Sequence, residues 1–191
     1  MIQNKKYDVI YADPPWDYGK MKERKKEHRG GNPQSHYQTM SIEDICSLPI
    51  NEISKDDSCL FLWVTNPKIQ LGFEVVKSWG FKYQTMITWV KIDNSGKPIN
   101  NGMGFYFRGS TEHILFATKG KFKIPPNLRS PNIIMSRRDS HSKKPIETYN
   151  LIEKVTNGDK LELFARNKRD NWDVFGNEVD GSIYFSNETE K

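Results

Sequence analysis

The feature that most constrains the fold is a short run, Tyr7-Asp8-Val9-Ile10-Tyr11-Ala12, that stops abruptly at Asp13-Pro14-Pro15-Trp16. The run is rich in β-branched and aromatic residues and predicts a buried strand. Two consecutive prolines then end it, because each fixes φ and lacks a backbone N–H. Carbonyls in such a loop are not consumed by a helix and are expected to stay open as acceptors. Asp13 and a carbonyl of Pro14 or Pro15 can each take one hydrogen of a planar exocyclic amine, while Trp16 offers a π-face to the heterocycle carrying it. The candidate catalytic set is therefore Asp13, Pro14, Pro15 and Trp16, and the target it suits is an amino-bearing base. The lone pair of such an amine is delocalised into its ring. Acceptors that hold both hydrogens favour a pyramidal, nucleophilic nitrogen and stabilise the positive charge that develops as it attacks a methyl group on a sulfonium.

Further apolar runs follow at Cys59–Val64, Thr85–Lys91, Glu112–Thr118 and Lys160–Phe164, most of them short and continuous, as expected of a sheet covered on both faces. Helical patterns lie between them. Ser41–Leu48 opens on Ser with acids in its first turn, Pro67–Trp79 starts behind Asn66 as N-cap and ends at Gly80, and Pro145–Val155 ends near Asn157-Gly158. This alternation predicts an α/β fold, a Rossmann-like three-layer α/β/α sandwich. No GxGxxG follows an early strand, and the first strand is spent on the acidic loop, so the order of the two halves is expected to be permuted.

At 191 residues the chain is expected to form a single domain, 1–191, with no internal repeat or linker. Its N-terminus lacks a signal-peptide core and no apolar run has the length of a membrane span, which predicts a cytoplasmic protein without a membrane partner. Cys46 and Cys59 do not form a CxxC pair, and the histidines at 28, 36, 113 and 141 do not fall at metal-ligand spacing, so no metal is expected.

The net charge of +5 is unevenly spread. Lys20, Lys22, Arg24, Lys25, Lys26, His28 and Arg29 crowd the segment after the Pro-Pro loop and run into Gly30-Gly31. Such a stretch buries little apolar area and is expected to be a mobile basic loop at about 19–36 that holds phosphates flanking a flipped base. A second segment, at about 93–140, is the expected substrate reader. Gly102, Gly104, Phe105, Tyr106, Phe107 and Arg108 join a backbone that can approach a ligand to aromatics that can stack and a cation for phosphate, although the same aromatics could equally be the core of a hairpin. Arg137 and Arg138 extend the basic surface.

The Asp-Pro-Pro-Trp tetrad and its strand resemble the MT-A70-like family of adenine N(6)-methyltransferases, which has many short bacterial and phage members. The resemblance covers nearly the whole chain. It includes Tyr37 and Met40 before Ser41-Ile42-Glu43-Asp44-Ile45, then Leu60-Phe61-Leu62-Trp63-Val64, and Gly102-Met103-Gly104 leading to Arg108 and Glu112. It ends with His141-Ser142-Lys143-Lys144-Pro145, Leu161-Glu162-Leu163-Phe164-Ala165-Arg166, Trp172 and Gly176-Asn177-Glu178. It implies a class I methyltransferase fold, circularly permuted with the catalytic half first and the cofactor half last, that binds S-adenosyl-L-methionine and methylates adenine in nucleic acid. It further implies that Lys144 meets the cofactor's carboxylate, that Asn177 and Glu178 contact its ribose, and that Asp13 and Arg166 complete the site. Trp16, Tyr37, Arg108, Lys22, Lys25 and Lys26 become the substrate contacts. Asn167-Lys168-Arg169-Asp170-Asn171 departs from the eukaryotic Arg-Pro-His-Asn form, so no carboxylate contact is carried onto that turn. Compact length favours DNA over RNA. A homodimer or monomer, with or without a partner subunit, a non-catalytic nucleic-acid-binding paralogue, and methylation of a cytosine amine remain alternatives.

Overall fold

A computed structural model describes residues 5–17, 39–102, 104, 106–138 and 143–183. Tyr7–Ala12 forms the first strand, β1, as the sequence predicts. Ile42–Ser47 (α1) and Ile50–Ile53 (α2) lead into β2, Ser54–Val64. A 3₁₀ turn at Asn66–Lys68 and helix α3, Ile69–Ser78, then connect to β3, Lys82–Ile92, and β4, Thr111–Lys119. The chain continues through β5 (Ile133–Arg137), α4 (Ile146–Val155), β6 (Lys160–Leu163) and β7 (Asp173–Phe175).

All seven strands join one sheet in the order β5-β3-β4-β2-β1-β6-β7. β1 lies between β2 and β6 and runs parallel to both, with Ile10 beside Leu60 and Leu161. β4 is antiparallel to β2 and β3, while β3 is parallel to β5 and β6 to β7. Both faces of the sheet are buried. On one, Ile10, Leu60, Leu62, Leu115 and Leu161 pack with Ile45 of α1, Ile50 of α2 and Val75, Val76 and Trp79 beside or within α3. On the other, Val9, Phe61, Trp63, Ile114 and Phe116 pack with Ile152 and Val155 of α4 and with Trp172. Burying each of these large side chains contributes roughly 1.5–3 kcal/mol, and period-two alternation along the strands sends neighbours to opposite faces.

Several local expectations need correction. Asn66 is not the cap of α3: a 3₁₀ turn precedes that helix, and Asn66 instead donates from Nδ2 to the Thr111 carbonyl at 3.2 Å and contacts His113 Nε2 at 2.9 Å. It thereby ties the end of β2 to the start of β4. Pro145 occupies the cap position of α4 rather than its first turn. β5 and β7 were not anticipated. β5 is a half-exposed edge strand and β7 is three residues long, so neither carries the continuous apolar run by which the other strands are recognised. Ser41 does start α1, accepting from the Asp44 N–H at 3.0 Å, and Gly80 follows α3 with φ +81°. Among the described residues no helix is long and apolar enough to cross a membrane, and no cluster of His, Cys, Asp and Glu could hold a metal ion.

Candidate active site

Parallel strands bring their carboxyl ends to one edge of a sheet, and this is where an open α/β sheet leaves room for a ligand. Here that edge collects Asp13 after β1, Thr65-Asn66 after β2, Lys91 near the end of β3, and Phe164 to Arg166 after β6. β4 runs the other way, so its amino end reaches the same edge, and Val64 pairs with His113. Reversal of this one strand delivers Glu112 to the site.

Four charged groups meet there. Lys144 Nζ lies 2.9 Å from Asp13 Oδ1 and 3.1 Å from Glu112 Oε2. The other Glu112 oxygen accepts from Lys91 Nζ at 2.5 Å. The Lys144 ammonium also sits 4.9 Å above the centre of the Trp63 ring, within cation–π range. The Lys144 side chain is only 13% exposed, so these contacts act with little screening by water. Burial raises the pKa of Asp13 above the usual carboxylate range, although Lys144 pulls it back. Burial also works against the charge of Glu112, but there Lys144 and Lys91 together prevail and the carboxyl titrates below its ordinary value. For Lys144, burial opposes the charge and the two carboxylates overcome it, raising its pKa.

The tetrad itself is held more tightly than its sequence suggests. Pro14 O accepts from the Trp16 N–H at 2.8 Å and Pro15 O from the Met40 N–H at 3.0 Å. The expectation of unengaged carbonyls is therefore corrected: each has one partner, and only a second lone pair could serve a ligand. Trp16 is likewise corrected as a stacking plate. It is 5% exposed, packs in the core that includes Ile45 and Leu62, and donates from Nε1 to the Trp63 carbonyl at 3.1 Å. An indole anchored at its N–H and enclosed by apolar side chains buttresses the loop that carries Asp13.

Beside Asp13 opens a cavity of about 660 Å³, lined by Tyr11, Lys143, Lys144, Ile146, Tyr149, Glu162 and the turn Phe164 to Asp170. Its floor is a chain of hydrogen bonds. Trp63 Nε1 donates to Tyr11 Oη at 2.7 Å, and Tyr149 Oη donates to Glu162 Oε1 at 2.8 Å, while the Tyr11 and Tyr149 rings meet edge to face at 5.1 Å. Phe164 adopts φ +62°, a left-handed conformation that costs a bulky side chain about 1–3 kcal/mol. Such strain is concentrated where backbone must turn sharply around a ligand.

Burial pushes the Glu162 carboxyl up to about 7, against the pull of Tyr149 and Arg169. A raised folded-state pKa means the native protein holds a proton that the unfolded chain has released, so this group's contribution to stability falls as pH rises towards and through 7. Glu162→Gln is expected to remove that part of the pH dependence, leaving a flatter stability profile than wild type in urea unfolding between pH 5 and about 8.

The remaining candidates differ in where the fold places them. Arg166 lines the cavity, and its Nε is 3.8 Å from Glu178 Oε1, so the two residues assigned to the cofactor are neighbours. Asn177 and Glu178 are exposed and stand outside the cavity wall. Arg108 lies on an exposed loop before β4. Tyr37, Lys22, Lys25 and Lys26, with the rest of the basic loop, lie outside the described residues. Lys144 is present in the cavity wall, where its ammonium is engaged by Asp13 and Glu112. Sequence reasoning did not assign roles to Lys91, Tyr11, Tyr149 and Glu162. Tyr11 and Glu162 could have been found from strand register, since parallel pairing sets them side by side at the end of β1 and β6.

A family profile for MT-A70 matches residues 7–178. A Type II methyltransferase M.MunI from Mycoplasma sp is 34% identical over 194 residues, spanning 93% of this chain and 80% of that protein. An N(6)-adenosine-methyltransferase MT-A70-like protein of Drosophila melanogaster and the human N(6)-adenosine-methyltransferase catalytic subunit METTL3 are each 33% identical over 92% of this chain. The chain spans only 27% and 29% of the length of those two proteins. With a profile match over nearly its whole length and the acidic Pro-Pro loop at the head of a charged cavity, this chain is a methyltransferase of the MT-A70 family.

Proposed function

We propose that the protein uses S-adenosyl-L-methionine to methylate the exocyclic amine of adenine in nucleic acid, with DNA the preferred polymer. The observation that carries this reading is the Asp13–Lys144–Glu112 cluster at the edge of the cavity, a carboxylate fixed in place by a buried cation beside a space sized for a nucleoside-containing ligand. The cavity residues suit the cofactor chemically. Lys143, Arg166, Lys168 and Arg169 offer cations for a carboxylate, Glu162 in the wall and Glu178 outside it beside Arg166 offer acceptors for hydroxyl and ammonium groups, and Tyr11, Tyr149 and Phe164 offer aromatic surface. When bound, S-adenosylmethionine supplies an electrophilic methyl group.

In this reading the protein's own groups do the rest. Asp13 accepts a hydrogen of the target amine while Lys144 holds its Oδ1, and the second lone pair of Pro14 O or Pro15 O accepts the other hydrogen. Trp16 keeps the loop from yielding. Glu112 shares Lys144 with Asp13 and so limits how much of the cation's charge Asp13 feels, which preserves its basicity as an acceptor. Preorganised acceptors of this kind need no rearrangement as positive charge develops on nitrogen.

The fold we assign is the Rossmann-like three-layer sandwich, circularly permuted, formed by one domain over 1–191. β1 with the catalytic loop comes first and β6 with the cavity turn follows near the end of the chain, an order that supports permutation. We prefer DNA because a Type II methyltransferase is 34% identical over 93% of this chain. Nucleoside mass spectrometry after incubation with labelled S-adenosylmethionine and separately duplex DNA, single-stranded DNA and RNA tests both points. Label in N(6)-methyladenine from DNA is expected. Label in RNA alone would reverse the polymer assignment, and label in methylcytosine would overturn the base assignment.

A further inference from the structure

The loop between β3 and β4 carries the two most exposed large hydrophobic side chains among the described residues, Tyr106 at 96% and Phe107 at 89% exposure. The next aromatics in that ranking, Phe73 and Tyr83, cover one another edge to face at 5.0 Å. Leaving two aromatic rings in water forfeits the burial that makes such residues valuable, so their placement calls for an occupant. The alternative raised by the sequence, that they form the core of a hairpin, is excluded by their exposure.

The loop presenting them is built rather than slack. Lys91 N–H donates to the Ser110 carbonyl at 2.8 Å and Ser110 Oγ to the Ile99 carbonyl at 2.7 Å, which closes its base. Above that, Gly102 packs so closely that a Cβ would lie 2.2 Å from the Gly109 carbonyl oxygen, and a Cβ on Gly104 would lie 1.9 Å from that of Phe107. Only glycine permits these two approaches, which bring Gly102 against Gly109 and Gly104 against Phe107. The base of the loop is also the wall of the site, since Lys91 and Glu112 belong to the charged cluster that holds Asp13.

Charge selects the occupant. The loop from residue 93 to residue 110 contains Lys97 and Arg108 and one acid, Asp93, whose carboxylate accepts from the Ser95 and Lys97 N–H groups at the base of the loop, where Arg137 lies beside Ile92. Aromatic faces beside a cation, with the nearest carboxylate held at the loop's base, match stacked bases joined by phosphates. We propose that Tyr106 and Phe107 form a stacking finger that inserts among the bases next to the target adenine, with Arg108 on the adjoining phosphate. The proposal rests on the nucleic-acid reading above and adds the element that keeps the target base out of its stack.

The test is fluorescence anisotropy of the full chain saturated with S-adenosylhomocysteine, titrated against a labelled mixed-sequence 20-nucleotide strand as single-stranded DNA, duplex DNA and RNA. Tyr106→Ala with Phe107→Ala is expected to weaken binding at least about tenfold without changing its salt slope, because stacking releases no counterions. Tyr106→Trp with Phe107→Trp is expected to restore it, and Arg108→Ala to lower the slope by about one. Unchanged affinity in the double alanine variant would overturn the finger. So would a fall in native mass from dimer to monomer in that variant, which would make the tip a protein contact. Wild-type protein that binds but transfers no methyl group would sink the proposed reaction and leave the finger standing, whereas wild-type protein that binds none of the three polymers would remove both.

Discussion

Asp13→Ala is expected to lower methyl transfer by about 10²–10³-fold, the scale on which a single preorganised polar contact to a transition state is lost. Binding of S-adenosylhomocysteine, measured by calorimetry, is expected to change little by comparison, because most of the cavity wall belongs to α4 and the turn after β6. Asp13→Asn separates two contributions. It keeps the shape of the side chain and one carbonyl acceptor, but gives up the charge that Lys144 neutralises at 2.9 Å. Activity in the asparagine variant well above that of the alanine variant would assign the main effect to hydrogen bonding, and equal loss would assign it to charge. Full activity in the alanine variant would remove Asp13 from the reaction altogether.

Lys144→Met should produce the largest loss of stability of any substitution in the site. The methionine fills nearly the same space over the Trp63 ring, yet it leaves the carboxylates of Asp13 and Glu112 without the cation they share. Breaking a buried ion pair from one side costs about 3–5 kcal/mol. The pH dependence carries the diagnosis. In the wild-type protein the Glu112 carboxyl is held below its ordinary range, so its stabilising contribution is present at neutral pH and is lost as pH falls through that depressed value. Without Lys144, burial raises the Asp13 carboxyl further while Glu112 keeps Lys91, so the native state binds a proton that the unfolded chain has released, and stability must rise as pH falls from neutrality towards about 5. Urea unfolding of the variant at pH 7.5 and 5.5 is therefore expected to show a partial recovery at the lower pH. A small loss that does not vary with pH would mean that the cluster is solvated and contributes little.

These two variants also separate the roles within the site. In the proposed reaction Asp13 faces the target amine, whereas Lys144 positions Asp13. Loss at Lys144 should accordingly be recovered in part by Lys144→Arg, which retains the charge with a different reach.

Much of this arrangement is legible in the sequence, and for identifiable reasons. The strand Tyr7–Ala12 is read correctly to the residue because the Pro-Pro pair marks its end chemically and not by hydrophobicity alone. The central strands β2 and β4 are found because their middles are buried on both faces and so appear as apolar runs, and β3 and β6, whose burial alternates, because their inward residues are mostly apolar; bounds are off by up to five residues where polar strand ends extend past the core. Asp13, Lys144 and Arg166 are brought to one cavity as expected from their place in the motifs. The misassigned residues share a cause. Trp16 as a stacking plate, the open Pro15 carbonyl and Asn66 as a helix cap were each inferred from what a side chain or carbonyl can do locally, and each is instead taken by a partner far along the chain: Trp63, Met40 and Thr111.

By itself, then, the amino-acid sequence determined where strands and turns fall and which residue types the chemistry has at its disposal, because periodicity, proline and buried carboxylates act over a few residues. The direction of β4 and the meeting of Asp13 with Glu112 through Lys144 were decided only by the tertiary structure, as were the pairing of Tyr11 with Glu162 and the exposure of Tyr106 and Phe107. Strand direction is set by which pairing buries the most surface across the whole sheet. Two of these contacts, Asp13 with Lys144 and Tyr11 with Glu162, join residues more than a hundred positions apart, and no local pattern encodes them.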